Sequence, residues 1–161
     1  YQMKIIRTRA FTYLNPKRAD LFASSFARQV ARIELGLQQE LAHGNLDSIR
    51  TIVDVRDIME AYWLAILHCK PGEIYNIGGN ITISIGEFLQ LLIKHSKVKI
   101  PTKLDLTLLR PSDVTLQIPC VEKFKAATGW EPKFSLEESM DNLLVYWRKA
   151  ALREARLKEI A

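Results

Sequence analysis

The chain has 161 residues, 48% of them hydrophobic and 25% charged, which is the balance of an ordinary soluble domain long enough to bury a real core. No apolar run reaches transmembrane length and no charged-then-apolar leader opens the chain, so the expectation is one soluble, cytoplasmic domain over residues 1–161 and no membrane partner. The net charge of +5 is spread from Lys4 to Lys158 and fits anionic small ligands as well as nucleic acid.

Cys69 and Cys120 lack metal-ligand spacing and read as free, buried thiols of a reducing compartment. The chain opens without a methionine on Tyr1-Gln2-Met3-Lys4, and it reads as the second half of something longer. Lys4–Phe11 is apolar and β-branched enough for a buried strand. Thr12–Asp20 carries Asn-Pro turn chemistry and two cations, Lys17 and Arg18. A long helix is predicted from Leu21 to Leu41, with Phe22, Phe26, Val30, Ile33 and Leu37 on one stripe and Gly36 near its end. Gly44-Asn45 predicts a tight reversal with a positive backbone dihedral. Arg50 follows, just ahead of the β-branched run Thr51-Ile52-Val53. Asp54 stands where a helix N-cap belongs, and Val55, Ile58, Met59, Tyr62, Trp63 and Ile66 recur at helical spacing. That helix should finish at Cys69, with Pro71-Gly72 as its stop.

Gly72–Gly79 reads as a short strand ending in a Gly-Gly turn. Ser84 and Glu87 form a capping box at the head of a helix through Phe88, Leu91, Leu92 and His95. Val98–Arg110 holds two short extended pieces around Pro101, and Leu109–Val114 is irregular. Pro119–Thr128 is a short helix closed by Gly129. A second capping box, Ser135 with Glu138, opens the final helix, which turns Leu136, Met140, Leu143, Leu144 and Trp147 inward. The tail, 148–161, stays helical by propensity, with Glu154 and Lys158 one turn apart. In this reading helices outnumber strands. The fold class is α/β, helix-rich, packed around a partial sheet.

No GxGxxG, Walker loop, HExxH or GxSxG is present. Gly78-Gly79 lacks the third glycine of a cofactor loop and reads as a tight turn. His68 lies at a helix end, and His43 and His95 read as surface residues. Tyr1 and Lys4 are one residue short of a Tyr-x-x-x-Lys pair. Two arginine loops remain, Asn45–Arg50 and Arg110-Pro111-Ser112-Asp113. A guanidinium presents a fork of donors that matches phosphate oxygens, and a carboxylate three residues on can accept both hydroxyls of a ribose. Spacing alone favours a surface turn for the first loop. For the second, an Arg110–Asp113 ion pair is as good a reading as a nucleotide clamp.

The runs RTRAF with the following Asn15-Pro16, GNLDSIRTIVDVRDIMEAYW, PGEIYNIGG, LLRPSDVTL and ATGWEPKFSLEESMDNLLVYW decide between them. From about Tyr1 to Arg148 they resemble the C-terminal half of extended short-chain dehydrogenase/reductases acting on GDP-sugars. Within that group the similarity is to the GDP-mannose 4,6-dehydratase and GDP-4-keto-6-deoxymannose reductase type. The resemblance implies a Rossmann-type enzyme whose N-terminal half carries NADP(H), the Tyr-x-x-x-Lys pair and a catalytic Ser/Thr. It implies a C-terminal half that binds the GDP-sugar. On this resemblance Arg50 and Arg110 grip the pyrophosphate from two sides, Asp113 holds the ribose, and Asn45 lies beside the nucleotide. Phe22 and Ala23 begin the segment that closes over guanosine. Thr12 stands where the family commonly places an asparagine near the hexose, and Phe26 where some dehydratases have a lysine. No catalytic residue and no metal ligand is assigned to this chain, which is expected to bind and not to turn over by itself. Its expected partners are a GDP-sugar, the N-terminal Rossmann half and a second copy in a homo-oligomer. The alternative is a basic helical module, using the Arg148–Lys158 tail on nucleic acid or a partner helix.

Overall fold

The computed structural model describes residues 2–109, 112 and 114–160. The first half comprises β1 (Arg7–Ala10), β2 (Tyr13–Leu14), α1 (Phe22–Glu34), β3 (Leu41–His43), β4 (Ile49–Asp54) and α2 (Val55–His68). The second comprises β5 (Ile74–Ile77), β6 (Ile81–Ser84), α3 (Ile85–Lys94), β7 (Thr102–Leu104), β8 (Leu116–Gln117), α4 (Glu122–Thr128) and α5 (Leu136–Ile160). The fold is mixed α/β as expected. Among the described residues, however, eight strands outnumber five α-helices, reversing the expected count. Strands of two or three residues are too short to carry a readable alternation.

β4 is the hub. β6 runs antiparallel along one of its edges, from Ile49↔Ser84 to Ile52↔Ile81. Along the other edge lie two parallel strands end to end, β8 against Ile49–Arg50 and β2 against Val53–Asp54. The Ile49 N–H donates to Thr115 O at 2.7 Å and the Val53 N–H to Thr12 O at 3.2 Å, four residues apart and so on the same side of the strand. β1 pairs in parallel with β5, and β3 with β7.

The first long helix ends at Glu34, not Leu41. Gly36 adopts φ 70°, where only glycine is unstrained. The Leu37 N–H reaches back to Arg32 O and the Gly36 N–H to Ile33 O, which closes the helix and frees Leu41–His43 for β3. In α2 the N-cap holds: Asp54 accepts the Arg56 N–H at 2.8 Å. Its inner face, though, is Asp57, Ile58, Ala61 and Ala65. Met59, Trp63 and Ile66, which recur at the same helical spacing, are 50%, 62% and 69% exposed. Both capping boxes form, Ser84 with Glu87 and Ser135 with Glu138.

Two cores result. One joins α1, α3 and α5 through Phe26, Val30, Phe88, Leu92, Met140 and Leu144. The other lies under β1 and β5 and is built from Ile58, Ala61, Tyr75, Ile77, Phe124 and Trp130. A polar clamp ties them. Buried Asp57 accepts the backbone N–H groups of Lys133 and Phe134 at 3.1 and 3.2 Å, and Ser139 donates to Asp54 at 2.8 Å. Arg56 closes the clamp, pairing with Asp54 at 2.8 Å and covering the Phe134 ring at 3.5 Å.

The basic tail is engaged in packing. Arg148 forks onto Glu34 with two 2.7 Å bonds, and Arg32 pairs with Glu154. The Glu154–Lys158 pair expected along the helix is present at 3.4 Å. His95, expected to face solvent, is half-buried with Nδ1 2.9 Å from the Asp141 carboxylate. Both cysteines are free; Cys69 is buried as expected, and Cys120 is exposed. Among the described residues no helix is long and apolar enough to cross a membrane.

Candidate functional site

A cavity of about 660 Å³ opens between the β1–β2 connection, the start of α1, the end of β3 and the first half of β4. It gathers Thr12, Phe22, Ala23, Asn45 and Arg50, five of the seven residues expected at the site. The other two, Arg110 and Asp113, lie outside the described residues.

Each wall follows from local chemistry. Phe22 opens α1 and meets Phe26 and Phe88 edge to face, with centroids 6.0 and 5.4 Å away. Ala23 is buried beside it. β3 is tied to α1 by one side chain: Gln29 accepts the Ala42 N–H at 2.8 Å and donates to Ala42 O at 3.0 Å. The chain then passes through Gly44, which does not adopt a positive φ as expected. Its role is steric, because a Cβ there would sit 2.8 Å from Leu108 O. Asn45 forms the turn through its side chain instead, accepting the Asp47 N–H at 2.9 Å and donating to Ser48 at 3.2 Å. Arg50 is half-buried, and its Nη1 donates to Ile49 O at 2.9 Å.

At the mouth, Arg18 forks onto Asp20 at 2.9 and 2.8 Å. That pairing outweighs slight desolvation and holds the Asp20 carboxyl at about 2. Much of the Arg18 charge is therefore answered locally, and Arg9 and Arg50 also line the cavity.

His43 and Gln117 line the cavity although neither was assigned to the site from the sequence. His43, expected on the surface, is half-buried in the wall with Nδ1 2.9 Å from Gly44 O. Gln117 enters through β8, where it is the Cα partner of Arg50, and its Oε1 accepts the Thr12 hydroxyl at 3.1 Å. No motif marks Gln117, since only the pairing of β8 with β4 brings it to the cavity.

The glycine pair is not a cofactor loop. A Cβ on Gly79 would fall 1.9 Å from Ile52 O, and one on Gly78 would fall 2.5 Å from Pro119 Cγ. Both glycines let chain segments pack closely and leave no space for a pyrophosphate.

The chain is 28% identical over 158 residues to GDP-6-deoxy-D-mannose reductase of Pseudomonas aeruginosa, covering 97% of this chain and 50% of that protein. It is 27% identical over 152 residues to GDP-mannose 4,6 dehydratase 1 of Arabidopsis thaliana, covering 92% and 42%. The chain thus spans about half the length of these relatives. The solved structure of RMD from Pseudomonas aeruginosa complexed with NADPH superposes with a TM-score of 0.83 at 27% identity, covering 91% of this chain and 49% of that one. A UDP-glucuronic acid 4-epimerase from Bacillus cereus shares the fold, with a TM-score of 0.78 at 21% identity and coverage of 92% and 46%. The family profile for GDP-mannose 4,6 dehydratase matches residues 1–143, and the chain belongs to that family.

Proposed function

We propose that this chain is the nucleotide-sugar-binding half of a GDP-sugar 4,6-dehydratase or 4-keto reductase. The observation that carries the reading is the convergence of Arg50, Asn45, Thr12, Phe22 and Ala23 on one cavity from four separate segments. A half-buried guanidinium suits a diphosphate, because its planar donors pair with two oxygens at once. Arg110 and Asp113, on the resemblance, complete the grip on pyrophosphate and ribose. Asn45, Phe22 and Ala23 meet the nucleoside, and Thr12 lies toward the hexose.

In the complete enzyme NADP(H) supplies hydride transfer at the hexose C4, and it belongs to the N-terminal half together with the catalytic Tyr and Lys. This chain contributes binding and orientation, which fix the hexose against that chemistry. Its remaining partners in this reading are the Rossmann half and a second copy of the enzyme.

Calorimetric titration with GDP-mannose, GDP and UDP-glucose tests the proposal, with Arg50→Ala as the control. GDP-selective binding is expected, weakened by about ten- to a hundredfold in Arg50→Ala, the loss of a charge-assisted hydrogen-bond pair. Absence of binding by folded wild-type chain overturns the reading of a preformed nucleotide site.

A further inference from the structure

We infer that Gln117 is a specificity-determining residue that reads the hexose hydroxyls of a nucleoside diphosphate sugar, a role that rests on the nucleotide-sugar reading above. The groups along β4 follow a fixed order. The Asn45 loop precedes the strand, Arg50 lies in its first half beside Gln117, and Thr12 O accepts the Val53 N–H near its far end. Asn45, Arg50, Gln117 and Thr12 all line the same cavity. A nucleoside diphosphate sugar is equally linear, running from base and ribose through diphosphate to hexose.

Phe22 offers an aromatic edge and apolar packing, suited to a flat base. Thr12 and Gln117 offer a hydroxyl and an amide joined by a hydrogen bond, suited to a ring carrying several hydroxyls. With the diphosphate on Arg50 and Thr12 toward the hexose, as in the reading above, Gln117, paired with Arg50 in the strand register and bonded to Thr12, stands where the diphosphate meets the hexose.

The state of the amide supports the assignment. β8 and β2 abut on one edge of β4, and the Thr12–Gln117 hydrogen bond at 3.1 Å bridges their junction. The Thr12 hydroxyl donates to Oε1, so the amide plane is held and Nε2 keeps two N–H donors that have no protein partner among the described residues. A donor pair fixed by a second residue, next to the cationic wall of an open cavity, is preorganised to meet hydroxyl oxygens. Thr12 thereby acts through Gln117 as a positioning residue.

The test compares GDP-mannose with GDP by calorimetry in wild type and in Gln117→Leu, with thermal melts confirming that both are folded. Gln117→Leu is expected to weaken GDP-mannose binding about three- to tenfold, the scale of one neutral hydrogen bond, with GDP unchanged. Thr12→Val, which removes the hydroxyl holding Oε1, is expected to shift the same ratio in the same direction. Equal losses for both nucleotides, or no loss for either, overturn the role of Gln117 and leave the nucleotide site standing. No binding of either nucleotide to wild type overturns both readings.

Discussion

Asp54 shows how much a single carboxylate can hold. It caps α2, forks with Arg56 and accepts from Ser139, while being only 3% exposed. Burial pushes its pKa up, but the hydrogen bonds from the Arg56 side chain and backbone and from Ser139 outweigh burial and leave it below the ordinary range. Glu34 behaves the same way: burial opposes, and the Arg148 fork prevails. A carboxyl with a depressed folded pKa stabilises the protein above its unfolded value of about 4 and loses that contribution as pH falls through the folded value. The melting temperature is therefore expected to drop as pH is lowered below about 4. Asp54→Asn should start lower at pH 7 and fall less steeply. Parallel pH profiles for the two proteins would contradict this account.

At the scale of elements, the central event is the docking of the 130–135 segment onto the start of α2. Asp57 does this by accepting two backbone N–H groups, from Lys133 and Phe134, at a site with no exposure. The segment ends at Ser135, whose capping box launches α5. One buried carboxylate therefore anchors the segment from which the last helix starts. Asp57→Ala removes the acceptor of two part-buried backbone donors and is expected to cost about 1–3 kcal/mol. Denaturant unfolding checks the figure, and a loss within 0.5 kcal/mol, on the order of an ordinary surface substitution, would refute the clamp.

For the whole molecule, the exposed apolar surface is what stands out. Met59, Trp63, Ile66 and Leu67 lie at i, i+4, i+7 and i+8 on α2 and are all at least 50% exposed. Among the described residues, β1 pairs only with β5, which leaves that two-stranded parallel sheet with an open edge beside β1, and α2 packs against β1. Parallel sheets are normally covered on both faces, and open edges invite pairing. Self-association of the chain is the expected consequence. Light scattering should report a mass above 18.5 kDa, and Trp63→Lys should lower it. A monodisperse species at the monomer mass would count against an associating face.

The amino-acid sequence by itself determined the features made within a few residues of chain. The caps at Asp54, Ser84 and Ser135 and the left-handed stop at Gly129 were all legible, because a capping side chain meets its partner within three residues. The family motifs likewise marked Arg50, Asn45 and Thr12, which the fold brings to one cavity. Only the tertiary structure decided which face of α2 is buried, since Met59, Trp63 and Ile66 recur at helical spacing with Ile58 but are at least half exposed, while Ile58 is fully buried. It also decided that Gly44 and Gly79 serve close packing, against Leu108 and Ile52, partners that sequence proximity does not reveal. β2 and β8, at two residues each, exist because β4 offers them an edge. Gln117 enters the site for the same reason: its address is set by a hydrogen-bonded register with a strand more than sixty residues away along the chain.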